Sequence, residues 1–184
     1  MAIQLPPEAE SDALLKELML HIAQKCESHS KFGATKLNKI LFFADFLAFR
    51  KTGKPITGTA YMRLENGPVA RRLVPNRNNL VDARRAAVKE VDFGDGWKQQ
   101  RLIAIESANT ELFSKHHLQI LDAVINALKD RNADQVSELS HKVPAWQIAE
   151  DKEEIPYEAA FLMSLRPSEV DETRALELAE KHGW

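Results

Sequence analysis

The sequence is short of several things, and each shortage closes a class of explanation. There is one cysteine, Cys26, in 184 residues, so no intramolecular disulfide can form, which suits a reducing compartment. No apolar run approaches the roughly 20 residues that span a bilayer, and the first residues lack the basic and apolar regions of a signal peptide. The expected location is the cytoplasm, with no membrane partner. Neither charge sign dominates: 25 basic against 27 acidic side chains leave a formal charge of −2, which gives no global attraction to nucleic acid. No stretch is of low complexity and no segment repeats.

The motifs of common chemistry are missing as well. There is no phosphate-binding Walker loop, no His-Glu-x-x-His and no Gly-x-Ser-x-Gly. Gly94-Asp95-Gly96 lacks the third glycine of a dinucleotide fingerprint. His116 and His117 are adjacent, so on a helix they point about 100° apart and do not share a metal readily. Cys26 lies on an apolar helical stripe and reads as a buried, inert thiol. The acidic cluster of residues 150–154 lacks calcium-loop spacing. Neither a cofactor, a metal nor an enzymatic activity is expected.

What is present is a mixed pattern dominated by helical periodicity. Residues 1–10 read as a loose arm, followed by a domain over 11–165 and a charged helix over 166–184. Leu14, Leu15, Leu18, Met19, Ile22 and Cys26 recur at three- and four-residue spacing, which predicts a first helix from Asp12 to near Ser28 with Ser11 as N-cap. A second helix is expected from Thr35 to about Arg50. Its apolar residues cover nearly the whole circumference, so it should be central, with phenylalanines such as Phe43 buried. Gly53 and Pro55 should end it.

Thr57 to Leu64 reads as a strand interrupted by Gly58. Asn66-Gly67-Pro68 reads as a turn, with Pro68 opening a helix whose buried side is Val69, Leu73 and Val74, and which Pro75 breaks early. Residues 86–105 alternate with period two around Gly94-Asp95-Gly96 and predict a β-hairpin. Helices are expected at Ser114–Lys129, from Asp134 (as cap) to about Ser140, at Pro144–Ala149, near Pro156, and after Pro167. The fold class is α+β, mostly α: a helical core with a small antiparallel hairpin or sheet.

The near-zero charge hides two poles. Residues 31–54 carry +5 and residues 150–184 carry −6. They either compensate each other and are solvated, or one faces a protein partner. Arg71, Arg72, Arg77, Arg84 and Arg85 form a basic stretch without the interleaved aromatics of single-strand binders, and Pro75 sits where a recognition helix should continue. Nucleic acid is therefore not the expected partner, although an autoregulatory DNA-binding protein remains an alternative.

Three places resist a bland reading. Asp45 lies in a phenylalanine-rich helix and needs a partner, for which Lys39, Arg63 and Tyr61 are candidates. Asn66-Gly67-Pro68-Val69 joins a flexible and a rigid residue, with Gly67 suited to positive φ. His141 and Trp146 flank Pro144 and suggest a packed polar–aromatic corner. Lys39, Asp45, Tyr61 and His141 could instead surround a small-ligand or enzymatic site, or form a buried network that specifies the fold.

Taken in order, these places resemble a known family. Lys36-Leu37-Asn38-Lys39-Ile40-Leu41-Phe42-Phe43-Ala44 resembles the Lys-Leu-x-Lys-Leu-Leu-Tyr-Phe-Ala helix of the Panacea domain, the SocA-like antitoxin domain once described as a phage-associated family. Thr52-Gly53-Lys54-Pro55-Ile56 is similar to its Thr-Gly-x-Pro-Leu segment, and Gly67-Pro68-Val69 matches its Gly-Pro-Val signature. Ser140-His141 and Trp146 resemble its late Ser-x-x-His…Pro-Trp corner, although here His141 follows Ser140 directly and Ala145 separates Pro144 from Trp146. The resemblance marks Lys36, Lys39, Asp45, Tyr61, Gly67, Pro68, His141 and Trp146 as family or network positions. It implies a bacterial antitoxin that neutralises a cognate toxin by direct protein–protein contact. It leaves room for a proteolytic adaptor role with a protease or chaperone as second partner.

Overall fold

The computed structural model describes residues 5–92, 94 and 98–162; the helix expected after Pro167 lies outside the described residues, as do five of the ten acidic side chains of the acidic pole. Among them run α1 (Glu8–Lys25), α2 (Ala34–Thr52), β1 (Tyr61–Leu64), β2 (Gly67–Ala70), α3 (Leu73–Asp82), β3 (Ala86–Asp92), β4 (Lys98–Ala104), α4 (Lys115–Leu128), α5 (Ala133–His141), α6 (Pro144–Ile148) and β5 (Glu154–Ile155). Short 3-10 turns occupy Thr110–Leu112 and Tyr157–Leu162. The class is α+β, mostly α, as the periodicity indicated. No described helix is long and apolar enough to cross a membrane.

α2 is the axis of the fold. It packs against α1, α4, α5, β2, β4 and the final 3-10 turn. Leu37, Ile40, Leu41, Phe42, Ala44, Phe46, Ala48 and Phe49 are all buried, and Gly53 ends the helix at φ 75° with its N–H on Phe49 O. Phe43 and Leu47 form the exception: they are only half-buried, on one open face. The expectation that Phe43 is a core residue is corrected to Phe42 and Phe46.

α1 begins at Glu8, three residues before the expected cap, so residues 8–10 are helical rather than part of an arm. Pro7 supplies the turn that precedes the helix, and its carbonyl accepts the Ser11 N–H at 2.9 Å. Glu8 and Glu10 place negative charge at the positive end of the helix dipole.

The largest correction falls at Pro68. It opens no helix. Gly67–Ala70 is a strand, paired antiparallel to β1 with Tyr61 opposite Ala70 and Leu64 opposite Gly67. β1 also pairs with the two-residue β5, giving the order β2-β1-β5 and leaving β2 as an edge, where a proline costs no ladder hydrogen bond. Only Tyr61–Leu64 of the expected longer strand is extended pairing. α3 starts at Leu73, which puts Pro75 in its first turn, where no intrahelical N–H is needed; Val74 is half exposed rather than buried. The hairpin is as expected, with Ala86 opposite Ala104 and Asp92 opposite Lys98. α5 is capped by Asn132, not Asp134, through a reciprocal box with Gln135 at 2.9 Å in both directions.

Candidate functional site

The eight positions singled out by sequence fall into four separate clusters, all leading back to α2 or to the β1–β2 hairpin beside it.

The first cluster surrounds Asp45. Its carboxylate is fully buried and accepts three hydrogen bonds: from the Thr57 N–H at 2.7 Å, from the Thr57 hydroxyl at 2.5 Å and from the Tyr61 hydroxyl at 2.8 Å. Tyr61 was one expected partner; Lys39 and Arg63 reach elsewhere. Burial pushes the Asp45 carboxyl upward and outweighs these donors, and burial together with the Asp45 charge holds the Tyr61 hydroxyl well above its ordinary value. Rings seal the cluster: Phe42 and Phe46 lie edge-on to Tyr61, at 5.4 and 5.7 Å between centroids, and Tyr157 packs 5.0 Å from Phe46. The Tyr157 hydroxyl donates to Thr59 O at 2.7 Å.

The second cluster fastens β2 to α2. An edge strand shows an unpaired row of carbonyl and N–H groups. Here Asn38 takes both kinds: its Nδ2 donates to Pro68 O at 2.6 Å and its Oδ1 accepts the Ala70 N–H at 3.0 Å. Lys39 Nζ donates to the same Pro68 carbonyl at 3.0 Å. The amine is buried with no carboxylate beside it, and desolvation lowers its pKa to about 8. Gly67, at φ +96°, passes so close that a Cβ would lie 2.2 Å from Ser140 Oγ and 2.8 Å from Lys39 Nζ. The Gly-Pro-Val signature is thus a docking point: glycine permits the approach and proline presents the carbonyl.

The third cluster is the expected polar–aromatic corner. Trp146 Nε1 donates to Leu64 O at 3.0 Å, His141 stacks on the indole at 4.2 Å between centroids, and the Arg63 guanidinium lies 4.5 Å from the ring centre. Arg63 also approaches Asp151 at 3.7 Å. α5, α6 and the end of β1 are joined here.

The fourth cluster explains much of the basic pole. Lys36 Nζ donates to Lys129 O at 3.0 Å and Lys31 Nζ to Asp130 O at 2.8 Å, both at the carbonyl end of α4. The cations satisfy orphan carbonyls and meet the negative end of the helix dipole. Lys31, Lys36 and Lys39 are therefore tied to backbone carbonyls. Two arginines of the basic stretch are likewise engaged: Arg72 is forked onto Asp12 and lies 3.4 Å from Glu8, and Arg85 bonds Glu17 at 2.6 Å and Glu106 at 2.8 Å. Burial alone would raise Glu17, but Arg85 and the Asn109 N–H hold it below its ordinary range.

Asp45 and Tyr61 share a hydrogen bond, whereas Lys39 and His141 each belong to a different cluster. The four do not converge on one open cleft. Cys26 is buried, its thiol pushed up to about 11 by desolvation. Among the described residues no group of three or more His, Cys, Asp or Glu side chains is placed to hold a metal ion. Asn38 and Thr57 were missed as site residues: Asn38 had no visible partner in sequence, and Thr57 acts from an irregular segment twelve residues after Asp45.

A helix whose lysine and asparagine grip a Gly-Pro-Val edge strand is thus followed by a His–Trp corner. The family model described as "Antitoxin SocA-like, Panacea domain" matches residues 37–147, well over half of the chain, from α2 to α6. The chain belongs to this antitoxin-like Panacea family. No curated protein and no solved structure matches it.

Proposed function

We propose that this protein is an antitoxin which binds a cognate toxin in the bacterial cytoplasm and neutralises it by protein–protein contact, without catalysis. The family match over α2–α6 carries the reading. The clusters lend it support. Family-motif side chains are spent inside the fold, on Pro68 O, Lys129 O, Leu64 O and the Asp45–Thr57–Tyr61 node. Such an arrangement builds a rigid scaffold and leaves the outer surface free to vary with the partner. The small-ligand alternative is disfavoured because Lys39, Asp45 and Tyr61 are closed off from solvent. The DNA-binding alternative is weakened because Arg72 and Arg85 are engaged by carboxylates of α1. Affinity purification of the tagged chain co-expressed with the product of the adjacent reading frame tests the proposal. A stoichiometric complex is expected; a neighbouring product that is harmless alone and fails to co-purify refutes it.

A further inference from the structure

Among the described edge strands, β3 leaves its main chain open. β2 is fastened by Asn38 and Lys39, and β5 is two residues long. In the two-stranded ribbon β4 packs against α1 and α2, so the open side belongs to β3. β3 pairs one to one with β4 from Ala86–Ala104 to Asp92–Lys98, with no bulge and no proline. Just outside that register the Ile105 N–H donates to Arg85 O at 2.9 Å. Hydrogen-bonded and non-bonded pairs alternate in an antiparallel ladder. Counted from Arg85–Ile105, Ala87, Lys89 and Val91 bond inward to β4, whereas Val88, Glu90 and Asp92 turn their N–H and C=O groups outward. These outward groups meet no partner among the described residues, and residues 87–90 are all exposed.

An open edge selects its occupant by chemistry: an extended segment returns N–H and C=O groups along its whole length, and a helix does not. Side chains narrow the choice. Lys89 stands opposite Arg101, whose guanidinium donates to the Cys26 and Glu27 carbonyls. The two cations share one face of the ribbon, and Lys89 forms no ion pair among the described residues. We infer that the toxin adds a strand to the outer edge of β3 and places a carboxylate beside Lys89. This rests on the antitoxin reading and specifies its contact surface. Main-chain hydrogen bonds supply the affinity, and Lys89 rejects a strand that brings a cation to the same place.

The test combines the full-length, isotope-labelled chain with the purified product of the adjacent reading frame. Amide hydrogen exchange read by NMR separates the two sets of N–H groups. In the free chain Ala87, Lys89 and Val91 should exchange slowly, and Val88 and Glu90 fast. In the complex Val88 and Glu90 should slow by about tenfold or more. Glu90→Pro removes one outward N–H and fills the edge with a ring, while the ladder to β4 keeps its bonds. It should weaken binding by about tenfold or more, the equivalent of about 1.4 kcal/mol. Glu90→Ala, which keeps the N–H, should bind as wild type, and Lys89→Glu should slow association. Slow exchange at Ala87 and Val91 establishes that the hairpin of each variant is intact. A Glu90→Pro variant that binds within about twofold of wild type, or fast exchange of Val88 and Glu90 in the saturated complex, overturns this inference and leaves the antitoxin reading standing. Unchanged association of Lys89→Glu overturns the carboxylate. A wild type that does not bind overturns both readings. Protection of Val88 and Glu90 that grows with the concentration of the free chain gives the edge to a second copy and also overturns the inference.

Discussion

Replacing Gly67 with alanine adds a single methyl group, yet it should be among the most damaging changes outside the apolar core. The new Cβ would lie 2.2 Å from Ser140 Oγ and 2.8 Å from Lys39 Nζ. Neither atom yields freely: Ser140 Oγ is held by Ser137 O at 2.7 Å, and Lys39 Nζ by Pro68 O at 3.0 Å. The positive φ of Gly67 costs a residue with a Cβ about 1–2 kcal/mol, and overpacking adds about 1–3 kcal/mol. The sum, about 2–5 kcal/mol, is a large share of the 5–15 kcal/mol typical of a domain. At this chain length each kcal/mol moves Tm by about 2–4 °C. Urea unfolding followed by far-UV circular dichroism measures the loss. A cycle with Ser140→Ala separates its two sources: removing Oγ should recover most of the crowding cost but leave the φ cost of about 1–2 kcal/mol. A Gly67→Ala variant within about 0.5 kcal/mol of wild type would show that the close approach of β2 to α5 is wrong.

Three further outcomes follow from the same geometry. Phe46→Ala should cost about 3–5 kcal/mol, and Phe43→Ala distinctly less because its ring is half exposed; equal losses in urea would contradict the open face of α2. Lys39→Met keeps the aliphatic volume while Asn38 still bonds Pro68 O. Because the folded amine titrates near 8 and the unfolded one near 10.4, the unfolded chain binds more protons between these values. Wild-type stability should therefore rise relative to Lys39→Met, by about 2–3 kcal/mol from pH 7.5 to 10.5; parallel curves would place the amine in water. Arg85→Ala leaves Glu17 with the Asn109 N–H as its remaining donor and should cost about 1.5–3 kcal/mol at neutral pH. Since Glu17 is held low in the fold, that deficit should shrink as pH falls below about 4.3; a deficit unchanged at pH 3 would assign it to packing.

Where a pattern repeats over many residues, sequence and structure agree. The all-round apolar character of 37–49 made α2 central, and period-two alternation over 86–105 located the hairpin of β3 and β4. Agreement fails where one or two residues decide the outcome through distant contacts. Pro68 is compatible with a first helical position, but Asn38, thirty residues earlier, accepts the edge of a strand, and the strand wins. β5 is two residues long and exists only through its pairing to Tyr61 and Met62. Asp45 visibly required a partner, and Tyr61 was among the candidates; Thr57 carries no motif, and its role comes from the path of the loop after Gly53. The basic pole was legible as charge but not as caps on α4, because Lys31 and Lys36 reach carbonyls more than ninety residues away.

The central claim, neutralisation by binding, is tested most directly by growth of bacteria that express the adjacent reading frame with and without this protein. Growth should stop when that frame is expressed alone and resume when the two are co-expressed, with a stable complex recovered from the rescued cells. Rescue without any complex would contradict the account, since it would mean that the protein acts on the toxin's product or expression rather than on the toxin itself.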